Sequence, residues 1–180
     1  VAVLDMHHGF ANLGHASVVD RLMRIAREER RRLGAGVPGV RVVSYDVRKG
    51  CAVPSAAARY ALVVGTGGPG ALDPRENDGV SPYAQGITED PSWEPLLWRF
   101  FDGVAAGPST ALFGICHTFG LLARWAGFGE AVVRPPEKGK SAGVVSNFLT
   151  EEARSHPWFG GLYRASSGGR IQVLDSRLFD

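Results

Sequence analysis

The chain has 180 residues, 44% of them hydrophobic and 21% charged, with 20 basic against 18 acidic residues and a formal net charge of +2. That is apolar material for one sizeable core and too little length for two ordinary domains, so a single domain over 1–180 is expected. The composition excludes a disordered chain, and only two cysteines exclude a disulfide scaffold. Near-balanced charge excludes a broad nucleic-acid footprint. Three of the basic residues are lysine (Lys49, Lys138, Lys140) and the rest arginine; only 21–32 is arginine-dense, and it also holds Glu28 and Glu29. No apolar run approaches the ~20 residues that span a bilayer. Residues 1–9 lack the charged start and small-residue cleavage site of a signal peptide. Two cysteines without such a signal point to a reducing cytoplasm and free thiols.

Val1-Ala-Val-Leu-Asp5 reads as a buried parallel strand. The loop His7-His8-Gly9-Phe10-Ala11-Asn12 follows, then a helix over 16–33 with Val18, Val19, Leu22, Ile25 and Ala26 inward and Gly34 and Gly36 as its stop. Residues 40–47 and 60–65 are two further strands, the second running straight into Thr66-Gly67-Gly68-Pro69-Gly70. Residues 73–91 show no apolar period and read as an inserted surface loop. Apolar residues at 93, 96, 97, 100, 101 and 104 predict a helix over 93–106, with Trp93, Trp98, Phe100 and Phe101 as core. A strand over 110–116 and a helix over 118–125 come next, then short β-like pieces at 131–134, 141–148 and 170–174. The end, 171–180, reads as a strand and its exit. With no initiator Met, a domain truncated at its C-terminus is expected.

Strands alternating with helices imply a parallel sheet covered on both faces. Ligand sites in such sheets gather at the carboxyl ends of the strands. Three of those ends carry unusual chemistry here.

Gly114-Ile115-Cys116-His117-Thr118 sits where a buried strand turns into a helix. A nucleophile on that turn projects into the cleft, a helix N-terminus favours a thiolate, and the His117 amide becomes an oxyanion donor. Gly67-Gly68-Pro69-Gly70 ends the strand that should neighbour the Cys116 strand. Paired glycines let backbone amides approach a ligand, so the Gly68 amide is the expected second donor. His7 and His8 leave the first strand, which this topology sets beside the Gly-Gly-Pro strand. Either could shuttle a proton; a loop hydrogen-bonding role is the plainer reading. Adjacent histidines rarely share one ion, so neither metal nor cofactor is expected. His15 reads as a helix cap, His156 as surface or packing, Cys51 as inert, and 137–140 as a solvated turn.

Val1-Ala-Val-Leu-Asp5 with Asn12-Leu13, then Gly67-Gly68-Pro69, then Gly114-Ile115-Cys116, together resemble the class I glutamine amidotransferase superfamily. The order and spacing fit along nearly the whole chain. The resemblance implies a flavodoxin-like α/β fold, a three-layer sandwich with a mostly parallel central sheet. It also implies a cysteine that attacks a glutamine side-chain amide, releasing ammonia and leaving a glutamyl thioester for water. Carried over, Cys116 is the nucleophile, the amides of Gly68 and His117 form the oxyanion hole, and Gly67, His7, His8 and Thr118 border the pocket. The implied partners are a small-molecule amide and an ammonia-accepting synthase, with no nucleic acid and no membrane. Two departures stand out. The family's Cys-x-Gly-x-Gln has Thr118 and Gly120 at its last two defined positions here, which implies weak glutamine binding. Its His-x-Glu does not occur in the 64 residues after Cys116. A non-catalytic ligand-binding or regulatory domain of the same fold, and a related γ-glutamyl-type cysteine hydrolase, are the alternatives.

Overall fold

The structure, a computed structural model, describes residues 1–34, 36, 38–129, 134 and 137–177 (of residue 58, the backbone). The chain forms two compact units, Val1–Ala131 and Val132–Asp180.

The first unit is built on four parallel strands: β1 (Ala2–Asp5), β2 (Val43–Asp46), β3 (Leu62–Gly65) and β4 (Ala111–Gly114), in the order β2-β1-β3-β4. Register sets Leu4 opposite both Tyr45 and Gly65, and Gly65 opposite Gly114. The helices are α1 (Leu13–Leu33), α2 (Glu94–Ala106) and α3 (His117–Ala126). This is the flavodoxin-like α/β arrangement expected from the sequence. The crossovers leave β1 and β3 in opposite directions, toward β2 and β4. Right-handed connections therefore put α1 on one face and α2, with α3 against it, on the other.

Strand alternation divides the core accordingly. Ala2, Leu4, Met6 and Val63 join Trp93, Leu97, Phe100, Phe101 and Leu121 in one buried cluster on the α2–α3 face. Each Val, Leu, Met or Phe of the cluster contributes about 1.5–3 kcal/mol by leaving water. Val3 and Val64 are buried outside that cluster, toward α1. α1 is the lighter layer: none of its residues is buried, and Ile25, expected inward, is 48% exposed.

α1 begins three residues earlier than the expected start at 16 because Asn12 caps it. Asn12 is extended (φ −138°, ψ 126°), and its Oδ1 accepts the Gly14 N–H at 2.5 Å. His15 is therefore not the cap. It sits past the cap, its Nε2 2.7 Å from Ser44 Oγ and its Nδ1 3.9 Å from Asp5 Oδ2. At the other end Gly34 adopts φ 89° and donates to Arg30 O, which stops the helix where expected.

Residues 73–91 are an irregular and mostly exposed or half-buried segment, as expected, but one that is anchored in the fold. Short 3₁₀ turns at Pro74–Glu76 and Pro91–Trp93 bracket a bridge between Asp78 and Thr88, and Asn77, Ala84 and Ile87 are buried. The segment lacks an apolar period because polar groups hold it. Arg75 and Arg124 each lie 2.8 Å from the Glu94 carboxylate, and Arg124 also donates to Leu72 O.

The second unit pairs β5 (Ser141–Phe148) with β6 (Arg170–Arg177) in an antiparallel hairpin, Ser141 opposite Arg177 and Phe148 opposite Arg170. A 3₁₀ turn and α4 (Gly160–Ala165) lie in the connection. β6 runs three residues past its expected end. His156 is exposed, its Nδ1 accepting the Trp158 N–H at 3.2 Å, a surface turn as expected. The expected β-like piece at 131–134 lies outside the described residues except for Arg134.

Phe101→Ala should lower stability by about 3–5 kcal/mol, and Ile25→Ala by less than about 1 kcal/mol. Urea unfolding of both variants checks the contrast between the two layers.

Candidate functional site

β1 and β3 lie side by side at the point where the crossovers diverge, so the crevice of this sheet opens at their carboxyl ends. The loops that meet there are Met6-His7-His8 after β1, Thr66 to Gly70 after β3, and Ile115-Cys116 after β4.

Cys116 occupies the turn between β4 and α3 with φ 52° and ψ −107°, a conformation that non-glycine residues rarely hold. Such strain costs about 1–3 kcal/mol and persists only where the surroundings enforce it. Here glycines make the room. A Cβ at Gly114 would lie 2.8 Å from Leu122 Cδ1, and one at Gly65 would collide with the Thr118 side chain. The thiol is free and exposed at the start of α3. Gly67 brings the neighbouring loop close, since a Cβ there would stand 3.6 Å from Cys116 Sγ.

That loop is gripped from both sides. Thr66 donates its N–H to Leu4 O (3.0 Å), and its Oγ1 accepts the Met6 N–H (3.0 Å). From α3, Thr118 donates its Oγ1–H to Thr66 O at 2.7 Å and its N–H to the same oxygen at 3.3 Å. Gly68 packs so tightly on β1 that a Cβ would collide with the Met6 carbonyl. His117 is buried, and its ring hydrogen-bonds the Gly68 backbone. Burial holds its pKa well below the usual imidazole range, helped by the nearby charge of Arg48, while the Gly68 bond opposes the shift. The ring is neutral. As the first residue of α3, His117 has an amide with no acceptor one turn back, directed like the other helix-start amides toward the cysteine end.

His7 reaches this cluster and His8 does not. His7 is buried, with Nδ1 2.8 Å from Asp5 Oδ1 and 3.5 Å from Thr66 Oγ1. His8 is half-buried with φ 55°, its ring 6.5 Å from Phe10. Cys51 is half-buried, 3.2 Å from Ser92 Oγ, beside a cavity of about 340 Å³ walled by Leu96, Phe100 and Gly103. That cavity shares no lining residue with the Cys116 turn.

Sequence reasoning missed Arg48 and Glu89. Both side chains are fully enclosed. Arg48 meets the carboxylate twice, Nε to Oε1 and Nη2 to Oε2, both at 2.6 Å. Its remaining Nη1 donates to Met6 O (3.0 Å) and Pro69 O (2.6 Å). Glu89 further accepts from Asn77 Nδ2 (2.7 Å) and Trp93 Nε1 (3.0 Å). The available signal was the place of Arg48, just beyond the carboxyl end of β2.

No family model matches the chain, and no curated protein does. Solved structures share its fold, among them these two. A glutamine amidotransferase from Thermotoga maritima superposes with a TM-score of 0.59 at 18% identity, over 100% of this chain and 62% of that one. The chain has the fold of a glutamine amidotransferase. A second structure, of the protein SMU.1228c, gives a TM-score of 0.59 at 15% identity over 99% of this chain and 61% of that one. The chain thus spans about three-fifths of the length of each of these two structures. Among the described residues no helix is long and apolar enough to cross a membrane.

The buried His117 ring stays unprotonated where an unfolded chain, with an imidazole pKa of ~6.5, takes up a proton. Its contribution to stability is complete above that pH and is lost as pH falls, at up to about 1.4 kcal/mol per pH unit. Urea unfolding between pH 5 and 7 should show a steeper decline for the native chain than for His117→Asn; parallel declines would contradict the assignment.

Proposed function

We propose that the chain is a cysteine-dependent, amidotransferase-like hydrolase domain acting on a carboxamide, with glutamine the first substrate to test. One observation carries the reading: an exposed cysteine held at φ 52° on a strand-to-helix turn, with the Gly67-Gly68 loop against it. Positive φ is shared by His8, Cys51 and Gln85, and what sets Cys116 apart is its place on the strand-to-helix turn with the glycine loop against its sulfur.

The Cys116 thiolate attacks the amide carbonyl carbon and forms the C–S bond. The carbonyl oxygen gains the electron pair and is received by the amides of Gly68 and His117. Collapse breaks the C–N bond, and the nitrogen leaves as ammonia with the proton the thiol gave up. Water then attacks the thioester, releasing the acid and regenerating the thiol. The His-x-Glu pair that the resemblance implies is absent from the 64 residues after Cys116. Released ammonia would pass to a synthase partner, and free thiols suit a reducing cytoplasm.

A specific observation favours a second substrate class, a γ-glutamyl or other amide. Gly120 stands where the family holds its substrate-contacting glutamine, and a Cβ there would press on the tip of the Leu72 side chain, which fills that space here. The Thr118 hydroxyl is committed to Thr66 O and turned away from any ligand.

Brief iodoacetamide labelling at pH 7 should modify Cys116 ahead of Cys51, while the 180-residue chain releases no ammonia from glutamine above background. Peptide mass spectrometry beside an ammonia assay reads both. Preferential labelling of Cys51 would remove the nucleophile; measurable ammonia would make His7 or another imidazole of this chain the base.

A further inference from the structure

Arg48 and Glu89 lie outside every step written above, yet their paired side chains are fully enclosed. A buried ion pair is a poor way to gain stability, since apolar residues of the same volume do as well or better. What the pair supplies is geometry. The guanidinium is a planar fork with fixed donor directions. Two of its nitrogens are fixed on Glu89, so the third has a set position, and there it holds two carbonyls together, Met6 O at the exit of β1 and Pro69 O in the glycine loop. Gly68 lies between them: a Cβ on it would meet the Met6 carbonyl and stand 3.2 Å from Arg48 Nη1.

The opposite edge of the same loop is held by α3 through Thr118 and the His117 ring. Glu89 is in turn fixed by Asn77 and Trp93, so the whole 73–91 segment bears on the position of one peptide group. We infer that Arg48 and Glu89 are positioning residues for the Gly68 amide as an oxyanion donor. The inference rests on the acyl-transfer reading given above.

A lysine keeps the charge at 48 but cannot span a carboxylate and two carbonyls at once. Glu89→Gln keeps the shape and releases the fork. Two reactions of Cys116 separate positioning from folding. Alkylation by iodoacetamide displaces iodide at a saturated carbon and makes no oxyanion. Acylation by p-nitrophenyl acetate does: the thiolate adds to the carbonyl, the C–S bond forms, the C–O bond breaks, and nitrophenolate leaves with the electron pair.

Arg48→Lys and Glu89→Gln should slow acylation about 10²-fold while leaving alkylation of Cys116 within about threefold, the loss that follows removal of one oxyanion donor. Acylation unchanged in a folded variant overturns the inference. Acylation and alkylation falling together also overturn it, since a structural role affects both alike. Should Arg48→Lys fail to fold, the milder Glu89→Gln decides by the same ratio. A native chain that alkylates at Cys116 and resists acylation would instead sink the acyl-transfer reading, and the inference with it.

Discussion

Four backbone carbonyl and carboxylate acceptors converge on one guanidinium that water does not reach. Arg48 ties the exits of β1 and β2 to the glycine loop after β3, and through Glu89 to the segment that leads into α2. The sheet alone aligns four short strands of four residues each, which is little to orient the loops beyond them. Loops at a sheet edge gain precision only when something rigid bridges them. The buried fork does this at β1, β2 and β3, and Thr118 and His117 bind the same loop to α3 behind β4. The crevice is thereby fixed on all four strands.

A second constraint is the lack of side chains at 65, 67, 68 and 114. Gly65 and Gly114 face each other across β3 and β4, and each makes room for a residue of α3. α3 can then begin directly behind Cys116, which forces the cysteine backbone into its positive-φ turn. Gly67 and Gly68 let the next loop close against that turn and against β1. The same small residues thus set the strain at the nucleophile and the nearness of the donors. The likeness to a known glutamine amidotransferase is at the level of fold; the chemistry proposed here stands on this geometry.

Much of this was legible in the sequence. The four parallel strands, both long helices and the Cys116 turn follow from apolar period and glycine placement, because those elements are fixed by burial of apolar faces; 141–148 and 170–174 read as β-like pieces, but their pairing with each other was not legible. The 73–91 segment was not, because its anchors are polar: Glu89 faces inward for Arg48, 41 residues away, and Asn77 for Ala71 and Glu89. Local pattern cannot distinguish an acid that seeks water from one that meets a buried arginine 41 residues off. His15 failed as a cap for a similar reason. Asn12 held the better capping geometry, and His15 found Ser44 across the sheet edge. His7 and His8 looked equivalent in sequence, and Asp5 separates them by drawing only His7 into the fold.

The central claim is that Cys116 carries an acyl group on its sulfur. Incubation with γ-glutamyl p-nitroanilide, an acid quench and peptide mass spectrometry test it directly. The account predicts a γ-glutamyl adduct on the peptide that holds Cys116. An adduct on Cys51 in place of Cys116, or nitroaniline released as fast by Cys116→Ser as by the native chain, would contradict it.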